Sequence, residues 1–357
     1  MTTERKTPTI QDVALLANVS TATVSRALSS PEKVSVDTRA RVSEAIRATG
    51  YTLNQAGRSL RQRTAKTILV ALPDIRNPFF STILDAIERE AAVRGYGVLV
   101  LNLYFGHETI RRLQDFLLSN RADGLLLLDG SVDMDMLHSL AGQAGSIPIV
   151  VACEEIPNAG FHTVLTDNVD AAERATRHLI DLGHRRIGHL LGPDHNVVSR
   201  ERLIGHARAL AAAGIQPAPE WHFRGNFDME SGYAAAARFV SMTNRPTAIF
   251  ASNDESGIGF LSGLRRHGII CPRDISLVGF DDLAVATHYV PPLTTMRQPR
   301  ETLGRMAAEA LIDIVEDPEA LVTPLRIVLR SELVVRESTA RLAESGSAQD
   351  EAIVASS

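Results

Sequence analysis

The sequence predicts an α/β protein: a three-helix head with a helix-turn-helix, followed by two doubly wound lobes of parallel sheet. Three observations carry this. From about residue 66, short apolar runs alternate with longer stretches of helical period, as in βα units covered on both faces. The alternation spans about a hundred residues and then repeats, which implies two lobes. Ahead of it, Thr9 to Thr49 holds three short segments of helical period separated by cap and turn residues.

In the head, Val13, Leu16 and Ala17 give the first helix an apolar face, and Thr9 stands where an N-cap belongs. Asn18 occupies the turn, and Asn tolerates left-handed backbone. Ser20 caps a second helix with two faces. Thr23, Val24, Ala27 and Leu28 point inward; Thr21, Ala22, Ser25 and Arg26 point outward. Small residues allow close approach to a major groove, where Arg26 can donate two hydrogen bonds to guanine. The competing reading is a helix pair with a solvated outer face. Ser35 caps a third helix, Val36 to Thr49, with Val42, Ala45 and Ile46 inward and Gly50 ending it.

Charge separates the head from the body. The 357 residues carry a formal net charge of −5. Residues 1–66 hold 11 Lys and Arg against 5 Asp and Glu, and the remainder 26 against 37, so the head with its following basic segment is +6 and the body −11. Only the head is suited to a polyanion. Between them runs a basic segment with Asn54, Arg58, Leu60 and Arg61. It is too polar to build a core and is expected to order only on binding. Leu60 can serve as an apolar wedge in a minor groove, and a flexible basic linker fits the local sequence equally well. Gly57 lowers its helix propensity.

In the body, strands are expected at Ile68–Leu72, Gly97–Leu101, Gly124–Leu128 and Ile147–Val151, the last closing the first half. The second array runs Thr163–Leu165, Ile187–Leu191, His222–Gly225, Ala248–Ala251 and Ser276–Val278, with helices between. Ligands of such lobes bind beyond the carboxyl ends of the strands. Other chemistry finds no support. His178, His184, His189, His195 and His206 form no metal tetrad and read as scattered surface and loop residues. No glycine-rich phosphate loop and no nucleophile elbow occurs, so no cofactor is expected. Cys153 and Cys271 read as reduced core thiols. Met1–Pro8 is polar and no run reaches membrane-span length, so the expected location is the cytoplasm.

Motifs along the chain carry a family resemblance. They include Asp12-Val-Ala, Val19-Ser-Thr-Ala-Thr-Val-Ser-Arg26, Lys33-Val-Ser, Gly50-Tyr51, Asp74-Ile-Arg-Asn-Pro-Phe-Phe80, Asp167-Asn168, Gly183-His-Arg-Arg-Ile187, Asn253-Asp254, Val278-Gly-Phe-Asp281 and Pro292-Leu-Thr-Thr295. Roughly residues 8–340 resemble a LacI/GalR-family transcriptional repressor, with a likeness to its cytidine-responsive, nucleoside-regulator subfamily in Ser20–Leu28, Lys66–Val70 and Pro73–Ser81.

The resemblance implies a homodimer that reads pseudo-palindromic operator DNA and answers to a small-molecule effector, a nucleoside by preference and a sugar otherwise. DNA contacts would be Thr21, Ala22, Ser25 and Arg26 in the head, with Asn54, Arg58, Leu60 and Arg61 in the hinge. The lobes would be periplasmic-binding-protein-like. Effector contacts would be Phe79 or Phe80, Asn196, Arg202, Phe227, Asn253 and Asp281. A carboxylate accepts from vicinal hydroxyls, an Arg donates to oxygens, and aromatic faces cover a ring. Locally, Arg202 reads almost as well as a surface helix residue, one of Phe79 and Phe80 as plain core, and Asp254 as a helix cap.

The resemblance also sets the boundaries. The head is 1–53, the hinge 54–65, the effector and dimerisation body 66–340, and 341–357 a disordered tail. The lobes take 66–165 with 299–325, and 166–298 with 326–340. Three positions depart from the family pattern, Gly57 of the hinge among them. Asn196 stands where purine-responsive relatives carry a cation, and Asp282 where Asn is common. An enzyme or a transport receptor for the same ligand are the alternative classes. The missing acid/base pair argues against the first and the basic head against both.

Overall fold

The computed structural model describes residues 8–51, 64–105, 107–132, 134–142, 147–156, 158–319 and 323–343. They fall into two compact units, the second beginning at Thr64. Of the expected hinge, only Thr64 and Ala65 are described; Asn54, Arg58, Leu60 and Arg61 lie outside the described residues.

The first unit contains α1 (Ile10–Ala17), α2 (Thr21–Ser29) and α3 (Val36–Thr49). The Asp12 carboxylate accepts from the Thr9 N–H and hydroxyl, both at 2.7 Å. Ser20 Oγ accepts from Thr23 N–H at 3.0 Å, and Ser35 Oγ from Thr38 N–H at 3.4 Å. Asn18 makes the turn at φ +50° and Gly50 ends α3 at φ +66°. Val13, Ala14, Ala17, Val24, Val42 and Ala45 form the core. One expected inward residue is corrected: Leu16 is 58% exposed and Ala14 is buried. The buried stripe runs through Ile10, Val13, Ala14 and Ala17, at i, i+3, i+4 and i+7, and leaves Leu16 off its edge.

The second unit holds two six-stranded sheets. The first comprises β1 (Thr67–Leu72), β2 (Gly97–Asn102), β3 (Gly124–Leu127), β4 (Ile149–Cys153), β5 (His162–Thr166) and β11 (Arg326–Leu329), in the order β11-β5-β4-β3-β1-β2, all parallel. The second comprises β6 (Ile187–Leu190), β7 (His222–Phe223), β8 (Ala248–Ala251), β9 (Ser276–Asp281), β10 (Thr294–Arg297) and β12 (Glu332–Val334), in the order β12-β10-β9-β8-β6-β7. Only the β10–β12 pairing is antiparallel.

The helices are α4 (Phe79–Val93), α5 (His107–Leu118), α6 (Met134–Gly142), α7 (Asn168–Asp181), α8 (Val197–Ala212), α9 (Met229–Ser241), α10 (Asp254–Arg265), α11 (Ala284–His288) and α12 (Arg300–Glu316). The chain crosses between the sheets after β5, after β10 and after β11. By the second crossing α12 returns to the first lobe, where Leu303, Ala307 and Leu311 pack with Ile83 and Ile87 of α4.

Two expected boundaries and one strand assignment change. The strand counted as the first of the second array is β5, and it pairs with β4 in the first sheet, on the side of the 66–165 boundary where the lobe division put it. Residues 326–329 do not belong to the second lobe, because β11 pairs with β5 from Arg326↔Thr163 to Leu329↔Thr166. The expected tail begins later than 341, since Leu342 N–H donates to the Leu182 carbonyl at 2.9 Å. Nor are the histidines all superficial. His184, His189 and His206 are buried, His189 stacking on Phe250 with ring centroids 4.8 Å apart. Burial pushes His206 down to about 3, with a further push from the charge of His222. Cys153 and Cys271 are free and buried. Among the described residues no helix is long and apolar enough to cross a membrane.

Glycine sets one helix spacing. A Cβ on Gly259 of α10 would lie 2.0 Å from the Met229 carbonyl oxygen of α9, and one on Gly232 of α9 would lie 2.0 Å from that of Ser256. Gly259→Ala is therefore expected to destabilise by about 1–3 kcal/mol through overpacking, despite alanine's better helix propensity. Gly142→Ala, with nothing within 4 Å, should be neutral or stabilising. Urea midpoints of the two variants check this.

Candidate functional site

Strands β1 and β4 of the first sheet and β8 and β9 of the second end at a common cleft, which holds about 440 Å³ of unfilled space including its mouth. In parallel sheets the carboxyl ends of strands are where turns present side chains to a ligand. The β1–α4 turn supplies Asn77, Phe79 and Phe80, and the end of β4 supplies Cys153 and Glu154. Helix α8 supplies Val198 and Arg202, and Phe227, Asn253, Asp281 and Gln298 complete the wall.

Six of the seven expected effector positions thus share one space. Phe79 and Phe80 both line it, with ring centroids 5.1 Å apart and planes at 79°. Both are also buried members of the first lobe's core, so the core reading holds for them beside the cleft one, whereas the surface reading of Arg202 is set aside, since it is 5% exposed. The Arg202 guanidinium donates to Asn168 Oδ1 at 3.1 Å and to the Ser252 carbonyl, and lies 3.7 Å from the Phe280 ring centroid. Its nearest carboxylate atom is Asp281 Oδ1, 4.0 Å from Nη2. Burial lowers its basicity, opposed by the charges of Asp281, Glu201 and Glu154.

Asp281 ends β9 at φ +113° and accepts from Gln298 Nε2 at 2.7 Å. Burial pushes its carboxyl up to about 6, against the pull of Arg202. Phe227 sits at φ +60°, and its ring occupies the space a side chain at Gly192 would need, 2.2 Å from a Cβ there. Asn253 Nδ2 donates to the Phe227 carbonyl at 2.8 Å, while its Oδ1 caps α10 through Ser256 N–H. Asp254 is therefore not the cap. It turns inward and accepts from Leu283 N–H at 2.8 Å and the Thr295 hydroxyl at 2.6 Å.

Asn196 does not line the cleft. Its Oδ1 caps α8 through Ser199 N–H at 3.1 Å, and its Nδ2 donates to Glu154 Oε1 at 2.8 Å. One side chain of the second lobe thereby reaches a carboxyl of the first. Glu154 Oε2 also accepts from Gly130 N–H at 2.8 Å. Burial, with the neighbouring charge of Asp129, pushes Glu154 up to about 7, although both hydrogen bonds favour its ionised form. Sequence reasoning missed Glu154. Its place depends on Cys153 at φ +71° and on Gly130, where a Cβ would stand 2.9 Å from that of Glu154. Neither constraint is visible locally. Asn77 and Gln298 were also missed. Asn77 lies inside a motif read for its phenylalanines, where its Oδ1 accepts from Phe79 N–H at 2.9 Å.

In the head, Thr21, Ala22 and Arg26 lie on the exposed side of α2, Ser25 is half-buried, and Val24 is fully buried behind them.

Residues 9–54 match the bacterial regulatory proteins of the lacI family, and residues 176–339 match the periplasmic binding protein-like domain. The chain is 39% identical over 334 residues to the HTH-type transcriptional repressor CytR of Escherichia coli, covering 94% of this chain and 97% of that protein. The chain belongs to the lacI family. It is also 35% identical over 336 residues to the repressor PurR of Photobacterium profundum, covering 92% of this chain and 98% of that one. The structure of the lac repressor dimer bound to operator and the anti-inducer ONPF matches with a TM-score of 0.84 at 28% identity, over 94% of this chain and all of that one. These relatives are repressors, not enzymes. The chain is a DNA-binding transcriptional repressor with a periplasmic-binding-protein-like body.

The weakened acidity of Glu154 has a thermodynamic consequence. Between the ordinary glutamate value of 4.5 and about 7, the folded repressor binds the proton more tightly than the unfolded chain. Stability from this group is present below that window and falls as pH rises through it, by on the order of 3 kcal/mol in full. Glu154→Gln mimics the protonated acid. Urea unfolding should show it more stable than the wild type at pH 8, with the difference shrinking at pH 5.

Proposed function

We propose that the repressor binds a pseudo-palindromic operator as a homodimer in the cytoplasm, and that a nucleoside in the cleft controls the binding. The observation that carries the ligand reading is one space walled by Phe79, Phe80, Phe227, Arg202 and Asp281. Aromatic faces suit the flat base. A mostly ionised Asp281 suits the vicinal hydroxyls of a ribose, and the Arg202 guanidinium suits ring or exocyclic oxygens.

On the DNA side, Thr21, Ala22, Ser25 and Arg26 of each protomer read a half-site in the major groove. The hinge, with Asn54, Arg58, Leu60 and Arg61, adds phosphate contacts and a minor-groove wedge. Ligand binding changes the angle between the lobes, and that change alters how the two hinges approach one another. The coupling is reciprocal, so operator DNA changes nucleoside affinity by the factor by which nucleoside changes operator affinity.

Thermal melting against ribonucleosides, deoxyribonucleosides, nucleobases, pentoses and hexoses tests the ligand. A ligand at about 100 times its Kd stabilises by roughly 2.7 kcal/mol. A shift with a nucleoside supports the reading, and a shift with free sugars alone replaces the nucleoside by a sugar. Arg26→Ala should cost about 1–3 kcal/mol of specific operator affinity and relax base preference while ligand binding survives. Asp281→Asn should do the reverse, keeping operator binding and losing the ligand response. Titrations of labelled operator with and without ligand read both.

A further inference from the structure

At the end of β9 two consecutive non-glycine residues adopt positive φ, Asp281 at +113° and Asp282 at +55°. Side chains are disfavoured in this region, and such backbone persists only where its surroundings over-determine it. The surroundings here are specific. The Asp282 carboxylate accepts from Arg297 Nε at 2.7 Å through one oxygen and from Arg336 Nη2 at 2.7 Å through the other. Its backbone carbonyl accepts from Arg300 Nη2 at 2.9 Å. The next N–H, of Leu283, donates to the buried Asp254, and the Leu283 side chain is buried in the core of the first lobe.

The three arginines come from different places in the fold. Arg297 ends β10, Arg300 opens α12 beyond the second crossing, and Arg336 follows β12. Arg336 is itself pinned, its Nη1 donating to the Leu293 carbonyl at 2.8 Å and its N–H to Thr294 Oγ1 at 2.9 Å. The Asp282 side chain is 9% exposed and that of Arg336 14%, so this is not a solvated pair. Asp281, one residue earlier, faces the cleft.

We propose that Asp282 is a positioning residue: the arginines on its carboxylate and carbonyl hold the strained turn that aims Asp281 into the cleft. Family resemblance marked this position only as a departure. The inference bears on the ligand site proposed above, but its test reads Asp281 itself and needs no ligand. A failed ligand panel leaves it standing.

The readout is the titration of the Asp281 carboxyl, followed by carbon NMR in the full chain and assigned by its loss in Asp281→Asn. The charged groups facing Asp281 are Arg202 from α8, Arg300 from α12, and Asp254 and Glu255 from α10. In place, burial pushes the carboxyl up to about 6. Turned out to water, it would return towards about 3.9. In Arg336→Gln, loss of a nearby cation by itself would raise the midpoint, whereas displacement lowers it, so the two causes have opposite signs. The expected result is a fall of more than one pH unit in Arg336→Gln, partly restored in Arg336→Lys. Arg297→Gln, at a half-exposed arginine, should give a smaller fall and serves if Arg336→Gln does not fold. A midpoint unchanged or raised in the folded variants overturns the assignment.

Discussion

The buried guanidinium of Arg202, the one buried arginine or lysine among the described residues, organises the body of this repressor. The Arg202 guanidinium is withdrawn from water, and its nearest carboxylate atom stands 4.0 Å away, beyond a hydrogen bond. A buried charge is costly unless hydrogen-bonded and compensated. The fold compensates it with the Asn168 amide, the Ser252 carbonyl and the face of Phe280, and with the more distant charges of Asp281, Glu201 and Glu154. One direct carboxylate partner would satisfy the cation more fully but would fill the cleft. The 4.0 Å separation keeps Arg202 and Asp281 as two groups facing one space.

How far the sequence exposed this arrangement depends on the range of each constraint. Caps and periods are local, so Ser20, Ser35, Asn18 and the helices of the head were readable, and only Leu16 was assigned to the wrong side. Continuous apolar runs revealed most strands of both sheets. β11 reads Arg-Ile-Val-Leu, half exposed at a sheet edge, and its partner β5 lies some 160 residues earlier; nothing local assigns it to one sheet rather than the other. Six of the seven expected positions around the cleft rested on the family resemblance rather than on local pattern, and they line one space. Glu154 was not among them, because what makes it a wall residue is the backbone of Cys153 and the absence of a side chain at Gly130.

The histidines make the same point from the opposite side. Counting and spacing argued against a metal set. Spacing could not show that His189, His206 and Phe250 share a stack in the second lobe, or that Thr176 and Ser252 satisfy one nitrogen of each imidazole. These rings work as core aromatics held uncharged by burial.

The path of the chain through the sheets also sets an order of events during synthesis. The inner strands of the first lobe are complete at Thr166, but α12 and the β11 edge emerge only by Leu329, roughly 160 residues later. At translation rates of about 5–20 residues per second the gap is on the order of ten seconds. Over that interval the apolar surface meant for Leu303, Ala307 and Leu311 has no cover from its own lobe, while most of the second lobe is already off the ribosome. A nascent chain of this design therefore carries an unfinished, sticky half behind a nearly finished one. Truncation before Leu303 would leave that state permanent, a substrate for chaperones and proteases rather than a smaller functional protein.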